Sequence, residues 1–273
     1  MAITVKFMKM HALGNDFVII DSITQNVRLS EAQVREIANR NTGVGCDQIL
    51  LIEPPHVSEI DFFCRIYNAD GHEVFQCGNG LRCVGRFIKE MGLSTQKTIS
   101  VATEKNVNHI EILDHPQVRV NLGVPNYAEQ NPVSLSFLDQ NKHAHLVDLG
   151  NPHCIFFMSQ LDSSLLKSWG EALQNHPKFP NGVNVSLVEC LAKNHIKAIT
   201  YERGAGETMA CGSAACAAVV AGISSRQLGA EVRVDMPGGH LQVSWPDKTK
   251  GILLSGSTNC VFLGQLALNH FSS

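Results

Sequence analysis

Two cysteines of this chain stand at matching places, each directly before a glycine and a short polar residue. Cys77 opens the run Cys-Gly-Asn-Gly, and Cys211 opens the run Cys-Gly-Ser. The apolar residues that come next predict a helix in both cases, so each thiol is expected at a helix N-terminus. Such a position stabilises an anion, and we expect it to lower the thiol pKa by about one unit from roughly 8.5. Each thiol could then exchange a proton with a substrate.

The surroundings of the two cysteines repeat along the chain. Residues 67–78 can be laid over residues 201–212 at an offset of 134, with Tyr, Glu, Cys and Gly in common. Two further matches follow at an offset of 136, namely Gly14-Asn15 with Gly150-Asn151 and Gln48 with Asn184. Ordered matches at nearly constant offsets predict a duplicated domain.

Each repeat is predicted to combine strands with one helix. After Cys77 the apolar residues recur at helical spacing until Gly92, and after Cys211 the segment 214–222 is almost wholly apolar. A helix without a polar face is buried on all sides, so a sheet is expected to surround it. Alternating strands joined by short turns follow both helices. The sequence predicts an α+β fold with two pseudo-symmetric domains, each a mostly antiparallel or mixed sheet around a central helix.

The repeat also suggests domain limits and a mode of action. We predict one domain at residues 1–117 with a returning strand at 263–273, and a second at 118–262. If the two domains face each other across a pseudo-twofold axis, the two thiols flank one cleft. Opposed acid/base groups suit the removal of a proton from one face of a carbon and its delivery to the opposite face.

Further repeated residues are suited to hold a small polar substrate. The backbone amides after the two cysteines form candidate sites for a carboxylate; they belong to Gly78, Asn79, Gly212 and Ser213. Uncharged side chains that could orient ammonium or carboxylate groups are Asn15, Gln48, Asn68, Asn151 and Asn184. Glu202-Arg203 places both signs of charge where the other repeat has neutral Asn68-Ala69. This asymmetry predicts a substrate with a distal zwitterionic end.

Several of these segments strongly resemble the diaminopimelate epimerase family, along essentially the whole chain. They are Met10-His-Ala-Leu-Gly-Asn-Asp-Phe17, Asn68-Ala-Asp-Gly71, Gln76-Cys-Gly-Asn-Gly80, Gly150-Asn-Pro-His153, Glu202-Arg-Gly-Ala-Gly-Glu-Thr208 and Ala210-Cys-Gly-Ser213. The resemblance implies two similar α+β domains, each a sheet wrapped about a central helix. It also implies cofactor-free interconversion of LL- and meso-diaminopimelate, a step of bacterial lysine and cell-wall synthesis.

The resemblance assigns roles to particular residues. It implies that Cys77 and Cys211 are the acid/base pair and that His153 and Glu202 tune them. The residues implied to contact substrate are Asn15, Gln48, Asn68, Gly78, Asn79, Asn151, Asn184, Glu202, Arg203, Gly212 and Ser213. Ala12 and Ala214 depart from the family pattern, because glycine is more frequent at both positions.

Composition argues against several other classes of protein. The 273 residues include 22 basic and 25 acidic ones without a basic cluster, so neither nucleic acid nor a membrane surface is an expected partner. No apolar run reaches the 18 residues of a membrane span, and we expect a cytoplasmic protein. The partners that we expect are a small-molecule substrate and a second copy of the chain in a homodimer. Nine cysteines without a Cys-x-x-Cys pair argue against a disulfide framework and against a zinc site, and no cofactor is expected.

Other functions use parts of the same pattern. A related cysteine-pair racemase acting on proline or hydroxyproline is the nearest alternative, although a cyclic imino acid offers nothing for Glu202-Arg203 to bind. A thiol oxidoreductase would use reactive cysteines, but it usually needs a nearby resolving partner. A metalloenzyme lacks a His-Glu-x-x-His motif, and the glycines near both cysteines lack the third glycine of a dinucleotide fingerprint.

Overall fold

The chain divides into two compact units. The computed structural model describes residues 4–74, 77–127 and 130–268. One unit comprises residues 1–120 with 256–273, and the other comprises residues 121–255. The chain returns to the first unit before the predicted residue 263, because the last strand already pairs with the first strand from Asn259 onward.

Both units combine a few helices with many strands. The helices are α1 (Ser22–Gln25), α2 (Glu31–Ala38), α3 (Gly78–Glu90), α4 (Ser163–Gln174) and α5 (Gly212–Ser224). The strands are β1 (Thr4–Ala12), β2 (Asn15–Asp21), β3 (Gln48–Glu53), β4 (Phe62–Asn68), β5 (Glu73–Val74), β6 (Thr98–Ala102), β7 (Val107–Ile112), β8 (Gln117–Asn121), β9 (Asn126–Tyr127), β10 (Val133–Phe137), β11 (Gln140–Asp148), β12 (Pro152–Met158), β13 (Asn184–Ala192), β14 (His195–Glu202), β15 (Gly206–Thr208), β16 (Glu231–Met236), β17 (Gly239–Ser244), β18 (Leu253–Ser257) and β19 (Asn259–Ala267). In the described part of the chain, no helix is long and apolar enough to cross a membrane.

In the first unit the strands form a mixed sheet around α3. Strand β1 pairs antiparallel with β2 and β19, β2 runs parallel to β3, and β3 runs antiparallel to β4. Strand β4 runs parallel to β6, which continues antiparallel into β7 and β8. Helix α3 contacts β1, β2, β3 and β7, so the helix that starts after Cys77 lies against the sheet that carries Asn15 and Gln48.

The second unit repeats this order of pairings. Strand β11 is antiparallel to β12, β12 is parallel to β13, and β13 is antiparallel to β14. Strand β14 is parallel to β16, which continues antiparallel into β17 and β18. The registers agree as well, since Phe17 stands beside Gln48 in the first unit and His153 beside Asn184 in the second. The α+β prediction is confirmed, and the repeat seen in the sequence is a repeat of structure.

Helix α5 is the apolar helix that the sequence predicts. Its residues 214–221 are completely buried, and it contacts β11, β12, β13, β14 and β17. These contacts on several strands explain why the segment has no polar face. Residues with small side chains allow the sheet to approach the helix backbone closely from several sides.

A close contact between α4 and β14 fixes the end of the strand that carries Glu202. A Cβ atom added at Gly170 would lie 2.3 Å from the Tyr201 ring, which is too near for any real side chain. Glycine therefore lets the helix pack directly on the ring. Because Tyr201 immediately precedes Glu202 and Arg203, this contact positions both charged residues.

Candidate functional site

Cys77 occupies the N-cap of α3, as the sequence predicts. Its backbone is extended (φ −151°), and its Sγ accepts a hydrogen bond from the backbone N–H of Gly80 at 3.3 Å. The first N–H groups of a helix have no acceptor inside the helix. The thiol therefore lies among the amide donors of Gly78, Asn79 and Gly80.

Asn15 and Asn79 lie beside this thiol. The Cys77 thiol points to Asn15 Oδ1 at 3.9 Å, and Asn79 Nδ2 approaches the same oxygen at 3.5 Å. The other end of the Asn79 amide accepts a hydrogen bond from Arg82, a fully buried arginine on α3, at 2.9 Å. Asn15, at the start of β2, thus meets the first turn of α3.

Gln48 and Asn68 form a second predicted group in the same unit. They stand opposite each other on β3 and β4, and Gln48 Nε2 donates to Asn68 Oδ1 at 2.8 Å. Gln48 Oε1 is buried, and within the described residues no donor reaches it. A buried acceptor without a partner is costly unless something else supplies the donor.

Charged residues that sequence reasoning missed surround Asn15. Asp47 accepts hydrogen bonds from Asn15 Nδ2 at 2.8 Å and from the backbone N–H of Asp16 at 3.0 Å. Arg40 contacts both carboxylates at 2.8 Å, and Lys9 contacts Asp16 at 2.5 Å. Burial opposes ionisation of Asp16, but the hydrogen bonds from Arg40 and Lys9 hold its pKa well below the usual value.

Cys211 occupies the equivalent N-cap of α5, and its thiol lies 3.5 Å from Ser213 Oγ. Its pKa does not follow the prediction. Burial, together with the charge and hydrogen bond of Glu202, raises the pKa of Cys211 well above the usual value, and the hydrogen bond with Ser213 opposes this only in part. The expectation of a lowered pKa was wrong for this cysteine, because burial and a nearby carboxylate outweigh the helix N-terminus.

Glu202 is the carboxylate whose negative charge contributes to the raised pKa of Cys211. The carboxylate is fixed by Thr208 Oγ1, which donates to Glu202 Oε1 at 2.6 Å across the β14–β15 hairpin. Thr208 was not among the predicted site residues. Its position in the Glu-Arg-Gly-Ala-Gly-Glu-Thr segment is the only sequence signal for it.

His153 reaches Cys211 through two other side chains. His153 Nε2 lies 3.1 Å from Asn151 Oδ1, and Asn151 Nδ2 donates to Ser213 Oγ at 3.4 Å. Because Oδ1 can only accept, Nε2 carries the proton. Burial and the charge of Arg203 lower the pKa of His153 to about 3, so the ring is neutral near pH 7. His153 is thus placed to orient Asn151.

Asn184 and Arg203 form the remaining part of the group in the second unit. Asn184 Nδ2 donates to the carbonyl oxygen of Pro152 at 3.2 Å, and its Oδ1 accepts from the Arg203 backbone N–H at 3.0 Å. The Arg203 side chain is exposed and donates to the carbonyl oxygen of Asn181 at 3.3 Å. The guanidinium is therefore accessible from solvent.

Each unit thus brings its own predicted residues together. The first collects Asn15, Gln48, Asn68, Cys77, Gly78 and Asn79, and the second collects Asn151, His153, Asn184, Glu202, Arg203, Cys211, Gly212 and Ser213. None of the nine cysteines, all of which lie within the described residues, forms a disulfide bond. Over the described ranges, no group of three or more His, Cys, Asp or Glu side chains is arranged to hold a metal ion.

Solved structures of several isomerases and related proteins share this fold. A hydroxyproline epimerase from Agrobacterium vitis superposes with a TM-score of 0.74 at 14% identity, covering 98% of this chain and 94% of its own. A phenazine biosynthesis protein of the PhzF family from Bacillus anthracis gives 0.74 at 15%, covering 96% and 99%. A methylitaconate-delta-isomerase gives 0.70 at 11%, covering 99% and 97%. At these identities the likeness shows a common two-domain α+β fold.

The sequence itself defines the class more closely. The profile of diaminopimelate epimerase matches residues 7–128 and 145–261, which is most of the chain. The protein is an isomerase of the epimerase type. It belongs to the diaminopimelate epimerase family.

Proposed function

We propose that this protein interconverts LL- and meso-diaminopimelate without a cofactor, using Cys77 and Cys211 as a two-base pair. The observation that carries the proposal is the equivalent placement of the two thiols. Each is the N-cap of a buried helix in a unit that repeats the pairings of the other. Both cysteines have an extended backbone at the N-cap, although only the Cys77 side chain accepts a hydrogen bond from the first turn of its helix.

The first-turn amides support the same reaction. Removal of the α-hydrogen leaves a carbanion whose charge spreads onto the substrate carboxylate. Backbone N–H groups at a helix N-terminus stabilise such a charge as it develops. We propose that the amides of Gly78, Asn79, Gly212 and Ser213 bind this carboxylate.

Proton transfer then needs one thiolate and one thiol. The thiolate takes the α-hydrogen as a proton, the electron pair stays on the substrate, and the thiol of the other cysteine gives its proton to the opposite face. The pair ends with the proton on the cysteine that began as the base, which is the state that the reverse reaction requires, so the two roles reverse with the direction of the reaction. The raised pKa of Cys211 favours its thiol form and supports its role as a proton donor.

The second unit supports a substrate with two charged ends. Glu202 and Arg203 are suited to a distal ammonium and a distal carboxylate, and the equivalent positions of the first unit hold neutral Asn68 and Ala69. Asn184 supports the backbone of Arg203. Diaminopimelate has such a distal end, whereas proline does not.

The function is tested by incubating the purified protein with LL-diaminopimelate in deuterated water. We expect meso product that carries deuterium at the inverted α-carbon, and the activity should persist after dialysis against a chelator. The measurement is chiral chromatography with mass detection. Loss of activity on chelation, or restoration only by pyridoxal phosphate, would contradict the cofactor-free mechanism.

A racemase acting on proline or hydroxyproline is the second candidate. It is favoured by the shared fold of the hydroxyproline epimerase and of a probable proline racemase from Agrobacterium radiobacter, which has a TM-score of 0.73 at 15% identity and covers 98% of this chain and 94% of its own. L-proline and trans-4-hydroxy-L-proline should therefore be assayed beside diaminopimelate. Exchange with an imino acid and none with diaminopimelate would favour this candidate.

Replacing Arg203 by lysine is expected to lower kcat/KM for diaminopimelate more than tenfold. Lysine keeps the positive charge but loses the planar fork that binds a carboxylate through two hydrogen bonds. A lost hydrogen bond to a charged group costs about 1.5–3 kcal/mol, which corresponds to at least a tenfold change in rate. Arg233→Lys, at an exposed arginine of the same unit, serves as the control and should keep normal kinetics. Normal kinetics for Arg203→Lys as well would show that Arg203 does not bind the substrate.

The proposal extends to the setting of the enzyme. We place it in the cytoplasm, as part of lysine biosynthesis, and as a homodimer. Sedimentation velocity of the purified protein measures the oligomeric state directly.

A further inference from the structure

We propose that Asp47 is a positioning residue that holds the Asn15 side chain with its amide oxygen, rather than its amide nitrogen, facing Cys77. Asn15 Nδ2 donates to Asp47 Oδ2 at 2.8 Å. Because the donor end of the amide is bound to a carboxylate, the acceptor end must point the other way, where it lies 3.9 Å from the Cys77 thiol. The inference rests on the proposed function only for its effect on turnover.

Asp47 is itself held in a fixed orientation. Its Oδ1 accepts from Arg40 at 2.8 Å, while its Oδ2 also accepts from the backbone N–H of Asp16 at 3.0 Å. The Asp47 backbone N–H in turn donates to Asp16 Oδ1 at 3.0 Å. These contacts leave the carboxylate little freedom to turn away from Asn15.

The second unit shows that the asparagine can take the opposite orientation. Asn151, the equivalent of Asn15, turns its Nδ2 toward Ser213 in the first turn of α5 and its oxygen toward His153. The position equivalent to Asp47, at the same offset of 136, is the fully buried Val183. The orientation therefore follows from the partner that each asparagine has, and Asp47 is the partner in the first unit.

The orientation matters for the proton on Cys77. An acceptor beside a thiol receives its S–H and favours the protonated form, whereas a donor in the same place favours the thiolate. In the observed orientation the Asn15 oxygen can accept the S–H of Cys77, and this amide offers the thiolate no donor. The nearby thiols of Cys64 on β4 and Cys83 on α3 are fully buried, and burial raises their pKa values, so they stay protonated.

Asp47→Ala tests the inference through the chemical reactivity of Cys77. Without the carboxylate, Asn15 can turn its N–H₂ group to the thiolate, so alkylation of Cys77 by iodoacetamide near pH 7 should become several-fold faster. The rate is measured for each cysteine by peptide mapping with mass spectrometry. The rate at Cys211, in the other unit, should not change. Where the epimerase assay applies, kcat should fall more than KM changes.

Asp61→Ala is the matched control. Asp61 is also a carboxylate of the first unit, and it accepts from the Ser100 backbone N–H at 2.7 Å and from its hydroxyl at 2.8 Å. Asp61→Ala removes similar hydrogen bonds without affecting Asn15. The rate of Cys77 alkylation should therefore stay at its wild-type value. Asp47→Asn keeps the shape of the side chain and one acceptor oxygen. It should therefore accelerate the alkylation of Cys77 less than Asp47→Ala does.

Two results would overturn the inference. One is a wild-type rate at Cys77 in both Asp47 variants. The other is a parallel acceleration at the buried thiols of Cys64 and Cys83, which would mean that the unit has only loosened. Because alkylation needs no substrate, either result is independent of whether diaminopimelate is the substrate.

Discussion

Cys77→Ala and Cys211→Ala should each abolish epimerisation, yet each should still exchange the α-hydrogen of one epimer slowly with deuterated water. Each variant loses the acid/base group for one face of the α-carbon and keeps the group for the other face. The two variants should therefore prefer opposite epimers. Mass spectrometry of LL- and meso-diaminopimelate recovered after incubation with each variant measures the exchange.

The exposed thiols of Cys190 and Cys260 provide controls for this pair of substitutions. Alanine at either position should leave epimerisation and exchange at wild-type rates. If Cys77→Ala and Cys211→Ala both exchanged the same epimer, the two thiols would not act on opposite faces. Full epimerisation by either one would assign the missing base to another residue.

The sequence predicted the helix starts of the site and the repeat of its elements along the chain because both depend on local patterns. A cysteine and glycine before an apolar run define the start of α3 and of α5, and the duplicated segments define which strands carry Asn15, Gln48 and their equivalents. Parallel pairing of β2 with β3 and of β12 with β13 was harder to foresee. The two strands of each pair are joined by a long crossover that contains a helix, α2 or α4. No short turn between them marks the pairing in the sequence.

The electrostatics of Cys211 could not be predicted from its position at a helix N-terminus. The benefit of that position is about 0.3–1 kcal/mol at exposed sites. It is outweighed by burial and by the charge of Glu202, which stands nine residues earlier, on the β14–β15 hairpin. Burial of a residue is a property of the whole unit and not of its neighbours in sequence.

The charged group around Asn15 was missed for a similar reason. Lys9, Arg40 and Asp47 lie outside the segments that resemble the family, and Asp16, which lies inside one of them, was given no role. Their only common feature is the contact made when β1, β2 and the segment before β3 come together. A single sequence does not reveal such a contact, although Asp47 stands directly before the predicted residue Gln48.

Glu202→Gln is expected to have two separable effects. Loss of the carboxylate removes the proposed partner of the distal ammonium, so kcat/KM should fall more than tenfold, since a hydrogen bond to a charged group contributes about 1.5–3 kcal/mol. It also removes a negative charge that raises the pKa of Cys211. The pKa of this thiol should therefore decrease, although burial, the larger cause, remains. The second effect is best measured in Cys77→Ala, where Cys211 is the only base of the pair and its thiolate form sets the rate of deuterium exchange.

In the Cys77→Ala variant, the rate of deuterium exchange should rise with pH as Cys211 loses its proton. Adding Glu202→Gln should shift this rise to lower pH. Glu207→Gln provides the control, because Glu207 lies on the same hairpin and is exposed. It removes the same charge from the same strand pair, and should leave the pH profile and kcat/KM unchanged. An unshifted profile for Glu202→Gln would mean that its carboxylate does not act on Cys211. A normal kcat/KM for Glu202→Gln with both cysteines present would mean that Glu202 does not bind the distal end of the substrate. The two roles of Glu202 are thus tested independently.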